Sequence, residues 1–207
     1  MAERTYKLPL SCITSGPWLA SYLRENYHAD VEYVDFPVEH SIYSCKMPAE
    51  NRPAQVVFHA QPSKPRPAYE LGLQALEIVH KRMPHASIAM FGENGLQNRR
   101  IPFPAKKFGL LPTEMDVADL YNRSVVGHSF ALSDISLVPP EMMACGCAVV
   151  GLDTPSVKGT LVDGANCLLA DSDPLLVAER TLQLLDDSNL RISITKRGIK
   201  SVESRSW

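Results

Sequence analysis

The hydrophobic positions of this chain fall into short apolar runs that alternate with longer segments in which apolar residues recur every three or four positions. Short apolar runs predict strands, and the longer periodic segments predict helices. We predict strands at residues 55–60, 87–92, 125–130, 148–152 and 166–170. Strands that alternate with helices are typical of βαβ units, so the pattern predicts an α/β fold with a parallel sheet and helices on both faces.

The predicted helices carry recognisable start signals. Residues 69–82 carry an apolar stripe at helical spacing. Thr113 with Asp116 three positions later forms a capping-box pattern. Asp173 before Pro174 is an N-cap and first-turn pair. We interpret the apolar stripes of these helices as core positions.

The first fifty residues follow a separate β-α-β pattern. It predicts a strand at 8–14, a helix at 17–27 and a strand at 31–34. A stretch with three prolines follows, which is typical of a connection between domains. We divide the chain into a leading piece (1–34), a linker (35–54) and a Rossmann-like domain (55–207).

Charge and cysteine content exclude several classes of protein. The 207 residues include 21 Lys and Arg against 23 Asp and Glu, too balanced for a nucleic-acid-binding domain. No apolar run approaches the roughly 20 residues of a transmembrane segment. The five cysteines contain no CxxC pair and lack zinc-ligand spacing, so we predict reduced thiols, no metal and a cytoplasmic protein that can still act at the inner face of a membrane.

Two loops carry candidate binding groups. Ligands of an open parallel sheet bind beyond the carboxyl ends of its strands. The loop at 61–67 places Lys64 and Arg66 before a predicted helix, whose positive end favours anions such as a diphosphate. Solvated charges on a proline-stiffened loop are the alternative. The loop at 92–100 begins with Gly92, which permits close backbone approach, although a simple turn also explains it.

Glu141 is the candidate for recognising sugar hydroxyls. It falls in the first turn of a short predicted helix at 140–145, where its oxygens can accept hydrogen bonds. Stabilisation of the helix is the alternative. Asp134 and Glu141 could also pair for glycoside hydrolysis, which depends on their separation. We interpret His128 as a core histidine, and no nucleophile can be assembled around His59.

The order of these motifs resembles a known family. The segment SDISLVPPEMMACGCAVV resembles the E-x7-E donor-binding segment of GT-B glycosyltransferases of the family 4 type, with Glu141 at the second Glu. The sequences PRPAYELG and LVPPEMMACG are similar to those of WsaF-like rhamnosyltransferases, and the resemblance extends over residues 31–202. It implies the C-terminal half of a GT-B fold, with the segment 11–27 similar to the end of the partner half.

The resemblance also implies roles for individual residues. Lys64 and Arg66 would bind the donor diphosphate, and Glu141 would bind the ribose. The residues expected to face the donor sugar are Ser133, Asp134, Ser136 and Leu137. Those expected to line the nucleotide are Gly92, Leu111 and Pro112. Ser133 replaces the first Glu of the pattern, and Gln61 stands where the family generally has a phosphate-binding Arg.

The implied function is a hexosyltransferase donor domain without a cofactor. It would transfer a hexose, with rhamnose as the specific candidate, from a nucleoside-diphosphate sugar to a glycan acceptor. We expect a dTDP-sugar before a UDP- or GDP-sugar. An N-terminal acceptor-binding half would be missing from this chain, so no catalytic residue is assigned. A non-catalytic nucleotide-binding or partner-docking module is the alternative function.

Overall fold

Six parallel strands form the main sheet. The computed structural model describes residues 2–64, 68–130, 132 and 136–206. Its strands in this sheet are β3 (Gln55–His59), β4 (Ser87–Phe91), β5 (Lys106–Gly109), β6 (Val126–His128), β7 (Ala148–Leu152) and β8 (Leu168–Ala170). They pair in the order β5-β4-β3-β6-β7-β8, every pair parallel. The predicted parallel α/β fold is confirmed.

Helices cover both faces of this sheet. One face packs against α3 (Tyr69–Arg82) and α6 (Pro174–Asp186), and the other against α4 (Glu114–Asn122) and α5 (Val138–Ala144). A last helix, α7 (Ser188–Val202), packs on both α5 and α6. Along β3, Val56 and Phe58 enter the first core and Val57 the second, as the two-residue period of a strand requires.

The leading piece forms its own two-stranded parallel sheet. It contains α1 (Ala2–Thr5), β1 (Ser11–Ser15), α2 (Pro17–Tyr27) and β2 (Asp30–Val34). Helix α2 covers one face of this sheet through Leu23, which packs against Val31. On the other face Ile13 is 76% exposed and Val34 60% exposed. One face of this small sheet is therefore uncovered in the described chain.

Residues 35–54 pack closely on the part of the chain that carries the main sheet. Val38 and Tyr43 are buried, and the Val38 N–H donates to the Arg205 carbonyl at 3.0 Å. The Asn122 side chain at the end of α4 bonds to the backbone of Ser44 and Lys46, at 3.0 and 2.8 Å. The division of the chain into domains stays a prediction, but this segment packs against the residues that carry the main sheet.

Several predicted boundaries need correction. The first strand begins at Ser11 instead of residue 8, since Leu8 and Leu10 are more than half exposed and the proline between them has no N–H for a ladder. Helix α5 begins at Val138, two residues early, because prolines are tolerated in a first turn. Strand β5 was not predicted, because its lysines hide the strand pattern although they suit an edge.

The other boundaries differ by a few residues. Strands β6 and β8 are shorter than predicted, and the last helix, α7, runs from Ser188 to Val202. Within the residues that the structure describes, no helix is both long enough and apolar enough to cross a membrane.

Candidate functional site

The strand order fixes where a ligand crevice should lie. From β3 the chain builds the sheet outward through β4 to β5, then returns to the other side of β3 and continues through β6, β7 and β8. The order therefore reverses between β3 and β6, and ligands of open α/β sheets bind beyond the carboxyl ends of the strands at such a point. The loop after β3 carries Lys64, and the loop after β6 leads into α5, which carries Glu141.

The loops after β3 and β4 are bound to each other. The Ser63 hydroxyl and N–H donate to the Glu93 carboxylate at 2.7 and 3.1 Å. These bonds lower the pKa of Glu93. The Gln61 side-chain amide donates to the Gly92 carbonyl at 3.4 Å. Gln61, at the position where an arginine is expected, therefore lies at the junction of the two loops.

Gly92 occupies a position that excludes a side chain. Its φ is +136°, and a Cβ atom there would lie 2.7 Å from the Ala60 carbonyl oxygen and 3.0 Å from the His59 ring. Its N–H donates to the Gly109 carbonyl at 2.8 Å. The packing of the ends of β3, β4 and β5 therefore requires this glycine, with or without a nucleotide. Its contact with the nucleotide stays a prediction.

Lys64 lies exposed beside the first turn of α3. It borders a cavity of about 340 Å³, which Leu132 and Ser172 line from the other side. The Arg99 guanidinium lies 5.7 Å from the centre of the Tyr69 ring, on the same turn of α3. Sequence reasoning missed Arg99 as a nearby cation, although Arg99 lies in the loop at 92–100. Arg66 lies outside the described residues.

Burial and charge around the loops keep His59 neutral. Its pKa falls to about 4, chiefly because the ring is desolvated and also because the Lys64 charge is near. His59 and Phe91 pack together at a ring separation of 5.2 Å, so the ends of β3 and β4 meet at this place.

Glu141 lies in the first turn of α5, partly buried. Its N–H donates to the Leu137 carbonyl at 3.1 Å, and the Ser136 hydroxyl accepts from the Val138 N–H at 3.3 Å. Ser136 therefore helps to cap the helix, while Leu137 is 39% exposed. The other two residues predicted to face the sugar, Ser133 and Asp134, lie outside the described residues, as does one member of the predicted hydrolytic pair.

The surroundings of Glu141 disfavour its charge. Burial, and then the negative charge of Glu114, raise the pKa of Glu141 to about 7, and a hydrogen-bonding interaction with the Tyr43 hydroxyl acts in the opposite direction. Tyr43 packs against Tyr121 with ring centroids 6.3 Å apart. The pKa of this carboxyl group therefore lies near neutral pH and not in the usual acidic range.

Leu111 belongs to the same apolar cluster as the neighbours of Glu141. The cluster contains the buried Tyr43, Tyr121 and Phe91, and Leu111 packs against it. Pro112, the next residue, is exposed before α4 begins. The structure thus brings Leu111 and Glu141 to one cluster, and Lys64 and Gly92 to the adjoining pair of loops.

His128 is a core residue, as predicted. It is fully buried at the end of β6, and burial lowers its pKa to about 3. Its Nε2 lies 2.7 Å from the Thr181 hydroxyl, which itself donates to the Val177 carbonyl at 2.8 Å. The hydroxyl must then accept from Nε2–H, so the neutral ring carries its proton on Nε2. In the parts of the chain that are described, no group of three or more His, Cys, Asp or Glu side chains could hold a metal ion.

Comparisons with known proteins add a family and a fold. The profile of the family described as WsaF, C-terminal domain, matches residues 54–180. The O-antigen biosynthesis protein RfbC of Myxococcus xanthus is 29% identical over 210 residues, an alignment that covers all of this chain and 16% of RfbC. The chain therefore spans a small part of the length of this relative.

Solved structures share the architecture at low identity. Sucrose-phosphate synthase from Thermosynechococcus elongatus matches with a TM-score of 0.80 and 17% identity over all of this chain and 57% of that one. The C-terminal domain of a group 1 family glycosyl transferase, LpcC, from Francisella tularensis matches at 0.68 and 15%, over 81% of this chain and 97% of that one. The pneumococcal O-GlcNAc transferase GtfA, in complex with UDP and GlcNAc, matches at 0.73 and 18%, over 95% and 42%.

Proposed function

This chain belongs to the family of WsaF C-terminal domains and has the fold of the C-terminal half of a GT-B glycosyltransferase, and we propose that it binds the nucleoside-diphosphate sugar for such an enzyme. The observation that carries the proposal is the strand order, which brings the Lys64 loop and the helix of Glu141 to the two sides of the reversal point. The reaction is transfer of a hexose to a glycan acceptor. The name of the RfbC relative supports an acceptor in polysaccharide biosynthesis.

The donor would lie along the carboxyl edge of the sheet. Its diphosphate would bind near Lys64, Arg66 and the first turn of α3, whose positive end stabilises anions. Glu141 would accept hydrogen bonds from the ribose hydroxyls. Leu111 would contact the base, and its place in the apolar cluster beside Glu141 supports this assignment.

The remaining proposed contacts with the donor would lie along the same carboxyl edge of the sheet. Gly92 and Pro112 would line the nucleotide, and the segment from Ser133 to Leu137 would face the sugar. As the bond to the diphosphate breaks, negative charge accumulates on the leaving group, and cations held in place stabilise that charge. The finer proposal is rhamnose carried by dTDP, with UDP and GDP as the competing nucleotides.

We propose that a separate acceptor-binding half completes the enzyme. Strands of a parallel sheet are normally covered on both faces, whereas Ile13 and Val34 lie on an uncovered face of the leading sheet. That face is the proposed contact with the other half. The isolated chain would then bind the donor but transfer poorly. Buried thiols such as Cys145 and Cys147 suit a reducing compartment, so we propose the cytoplasm, at the inner face of the membrane.

Calorimetric titration with dTDP, UDP and GDP tests the donor site. We expect saturable binding of one nucleotide, weakened about tenfold or more in Arg66→Ala and in Glu141→Ala, since each change removes a hydrogen bond to a charged group. Lys196→Ala is the matched control, because it removes an exposed cation on α7, away from the crevice. No binding at millimolar nucleotide, or equal binding by all variants, would reject the donor site and favour a partner-docking module.

A further inference from the structure

Basic residues are grouped along the edge strand β5. Residues 94–113 contain Arg99, Arg100, Lys106 and Lys107 and no acidic residue, which leaves 17 basic against 23 acidic residues in the rest of the chain. Among the described strands β5 pairs only with β4, so it forms one edge of the main sheet. This edge is therefore a locally positive region of a chain whose net charge is −2.

The basic residues lie next to one another in the structure as well as in the sequence. The turn at Leu96–Asn98, which leads into Arg99 and Arg100, packs on β5. The Lys107 ammonium group, on β5 itself, donates to the Arg99 carbonyl at 2.5 Å. The strand and the segment before it therefore present their cations on one continuous surface.

The charges of these residues are not neutralised by neighbouring carboxylates. Within the described part of the chain, none of the four cations forms an ion pair. Arg99 lies over the Tyr69 ring, 5.7 Å from its centre, and Lys107 has only the backbone bond to Arg99. Arg100 and Lys106 are exposed. These cations are therefore available to an anionic partner.

Two large apolar side chains are exposed on the same positive surface. Phe108, which follows Lys107 on β5, is 44% exposed, and Leu110, just beyond the strand, is 59% exposed. Lysines on an edge strand also prevent pairing with another sheet, but exposed Phe and Leu side chains work against that protection. Binding to an anionic bilayer increases both with electrostatic attraction and with the apolar area that enters the interface. The combination therefore favours a membrane over a soluble polyanion, which needs only the cations.

We propose that this surface contacts the anionic lipid headgroups of a membrane. The cations would lie among the lipid phosphates, and Phe108 and Leu110 would enter the interface. Leu110 precedes Leu111, the proposed contact with the base, so the donor site would lie beside the membrane surface. The inference rests on the proposed function only for the membrane location, and it names the surface responsible. We call this surface the edge patch, and it consists of Arg99, Arg100, Lys106, Lys107, Phe108 and Leu110.

Cosedimentation of the full chain with lipid vesicles tests the edge patch. One set of vesicles contains equal parts of phosphatidylglycerol and phosphatidylcholine, and the other contains phosphatidylcholine alone. Arg100→Gln combined with Lys106→Gln removes two exposed cations from the patch. Lys158→Gln combined with Lys196→Gln is the matched control, because Lys158 follows β7 and Lys196 lies on α7, which packs on β7 near the opposite edge of the sheet.

The cation variants should separate the patch from the charge of the whole chain. The wild type should bind the phosphatidylglycerol vesicles, less tightly as salt increases, and should not bind phosphatidylcholine alone. Each cation near an anionic surface strengthens binding roughly fivefold, so loss of Arg100 and Lys106 should weaken it about tenfold or more. The control pair should bind as the wild type does.

An apolar variant distinguishes a membrane from a soluble polyanion. Phe108→Ser combined with Leu110→Ser leaves the charge of the patch unchanged. It should weaken binding to the phosphatidylglycerol vesicles about fivefold or more, because less apolar area enters the interface. Any binding to heparin, a soluble polyanion, should be the same as for the wild type. Circular dichroism and size-exclusion chromatography check that every variant is folded and has the wild-type oligomeric state.

Each contrary result overturns the proposal in a different way. No wild-type binding to phosphatidylglycerol vesicles, or an equal loss in the control pair, means that the patch is not a membrane contact. A loss in the cation variant with none in the apolar variant indicates a site for a soluble polyanion. Unchanged vesicle binding with self-association of the cation variant leaves only protection of the sheet edge. The nucleotide titration tests the donor site separately, so these failures do not affect it.

Discussion

The two ends of the proposed donor site are built in opposite ways. Glu141 is partly buried beside Tyr43, Tyr121 and Cys145, which come from three separate segments, and burial followed by the charge of Glu114 raises the pKa of its carboxyl group to about 7. Around Lys64 the cation is exposed on a loop. A buried carboxylate is sensitive to pH and to packing, whereas an exposed cation is sensitive to salt. We therefore expect pH to control binding at the ribose end of the site, and salt to control binding at the diphosphate end.

The largest effect should come from Arg52, which links the segment before β3 to the ends of α4 and α5. Its buried guanidinium donates to backbone carbonyls of the segment before β3 and of the ends of α4 and α5. These carbonyls belong to Met47, Tyr121, Ser124, Cys145 and Gly146. Arg52→Met leaves them without their donor, and we expect the free energy of unfolding in urea to fall by about 3 kcal/mol or more.

A lysine in the same segment provides the control. Lys46→Met removes an exposed ion pair with Asp119, 3.0 Å long, and should reduce the free energy of unfolding by less than about 1 kcal/mol. If the two variants lose equal stability, Arg52 does not hold these three segments together.

The second prediction concerns the charge of Glu141 in binding. Glu141→Gln should weaken UDP binding about ten- to a hundredfold at pH 8, because a hydrogen bond from a hydroxyl to a carboxylate is stronger than one to an amide. The loss should be smaller for dTDP, whose deoxyribose offers one hydroxyl fewer. Calorimetry with both nucleotides checks this, and equal losses would argue against contact with the ribose.

The same substitution should have the opposite effect on stability. Because the folded pKa of Glu141 is about 7 and its ordinary value is 4.5, the unfolded chain releases this proton first, and wild-type stability falls as pH rises from 4.5 to 7. Glu141→Gln removes that loss. We therefore expect the free energy of unfolding of this variant to exceed that of wild type by about 2 kcal/mol at pH 8.

The control is the same comparison at acid pH. At pH 4.5 the advantage of Glu141→Gln should nearly vanish. The depressed pKa values of His59 and His128 make both proteins lose stability as pH falls below 6.5. This loss is the same in wild type and variant, so it cancels in the difference between them. Urea unfolding at both pH values gives the measurement, and an advantage independent of pH would contradict the account.

The smallest effect should come from a substitution at Gln61, at the exposed diphosphate end of the proposed site. Gln61→Arg adds a cation where the loops after β3 and β4 meet. We expect about tenfold tighter binding of UDP at low salt. The gain should shrink as salt increases and should be absent for uridine, which has no phosphate. Unchanged UDP affinity would place the diphosphate elsewhere.

Local signals in the sequence predicted much of the fold. Thr113 and Asp116 form the predicted capping box, and the Asp173 carboxylate accepts two N–H bonds at the start of α6, because caps involve residues that are neighbours in sequence. Strand β5 escaped prediction because Lys106 and Lys107 suit an exposed edge but hide the strand pattern.

The candidate site was only partly accessible to sequence reasoning. Glu141 could be selected by resemblance, but its raised pKa depends on burial and on Glu114, which a sequence does not display. Tyr43 and Arg52 were assigned to a linker because their partners lie far along the chain. Tertiary contacts of this kind carry no periodic pattern.

The most direct test of the account is a map of backbone amide shifts while UDP is added to the full chain. We expect the largest changes at Lys64, Gly92, Leu111 and Glu141. The competing location is a cavity of about 450 Å³ at the ends of β7 and β8, lined by acidic side chains and by Arg180. Changes centred on that cavity, with Glu141 and Lys64 unaffected, would contradict the proposed donor site.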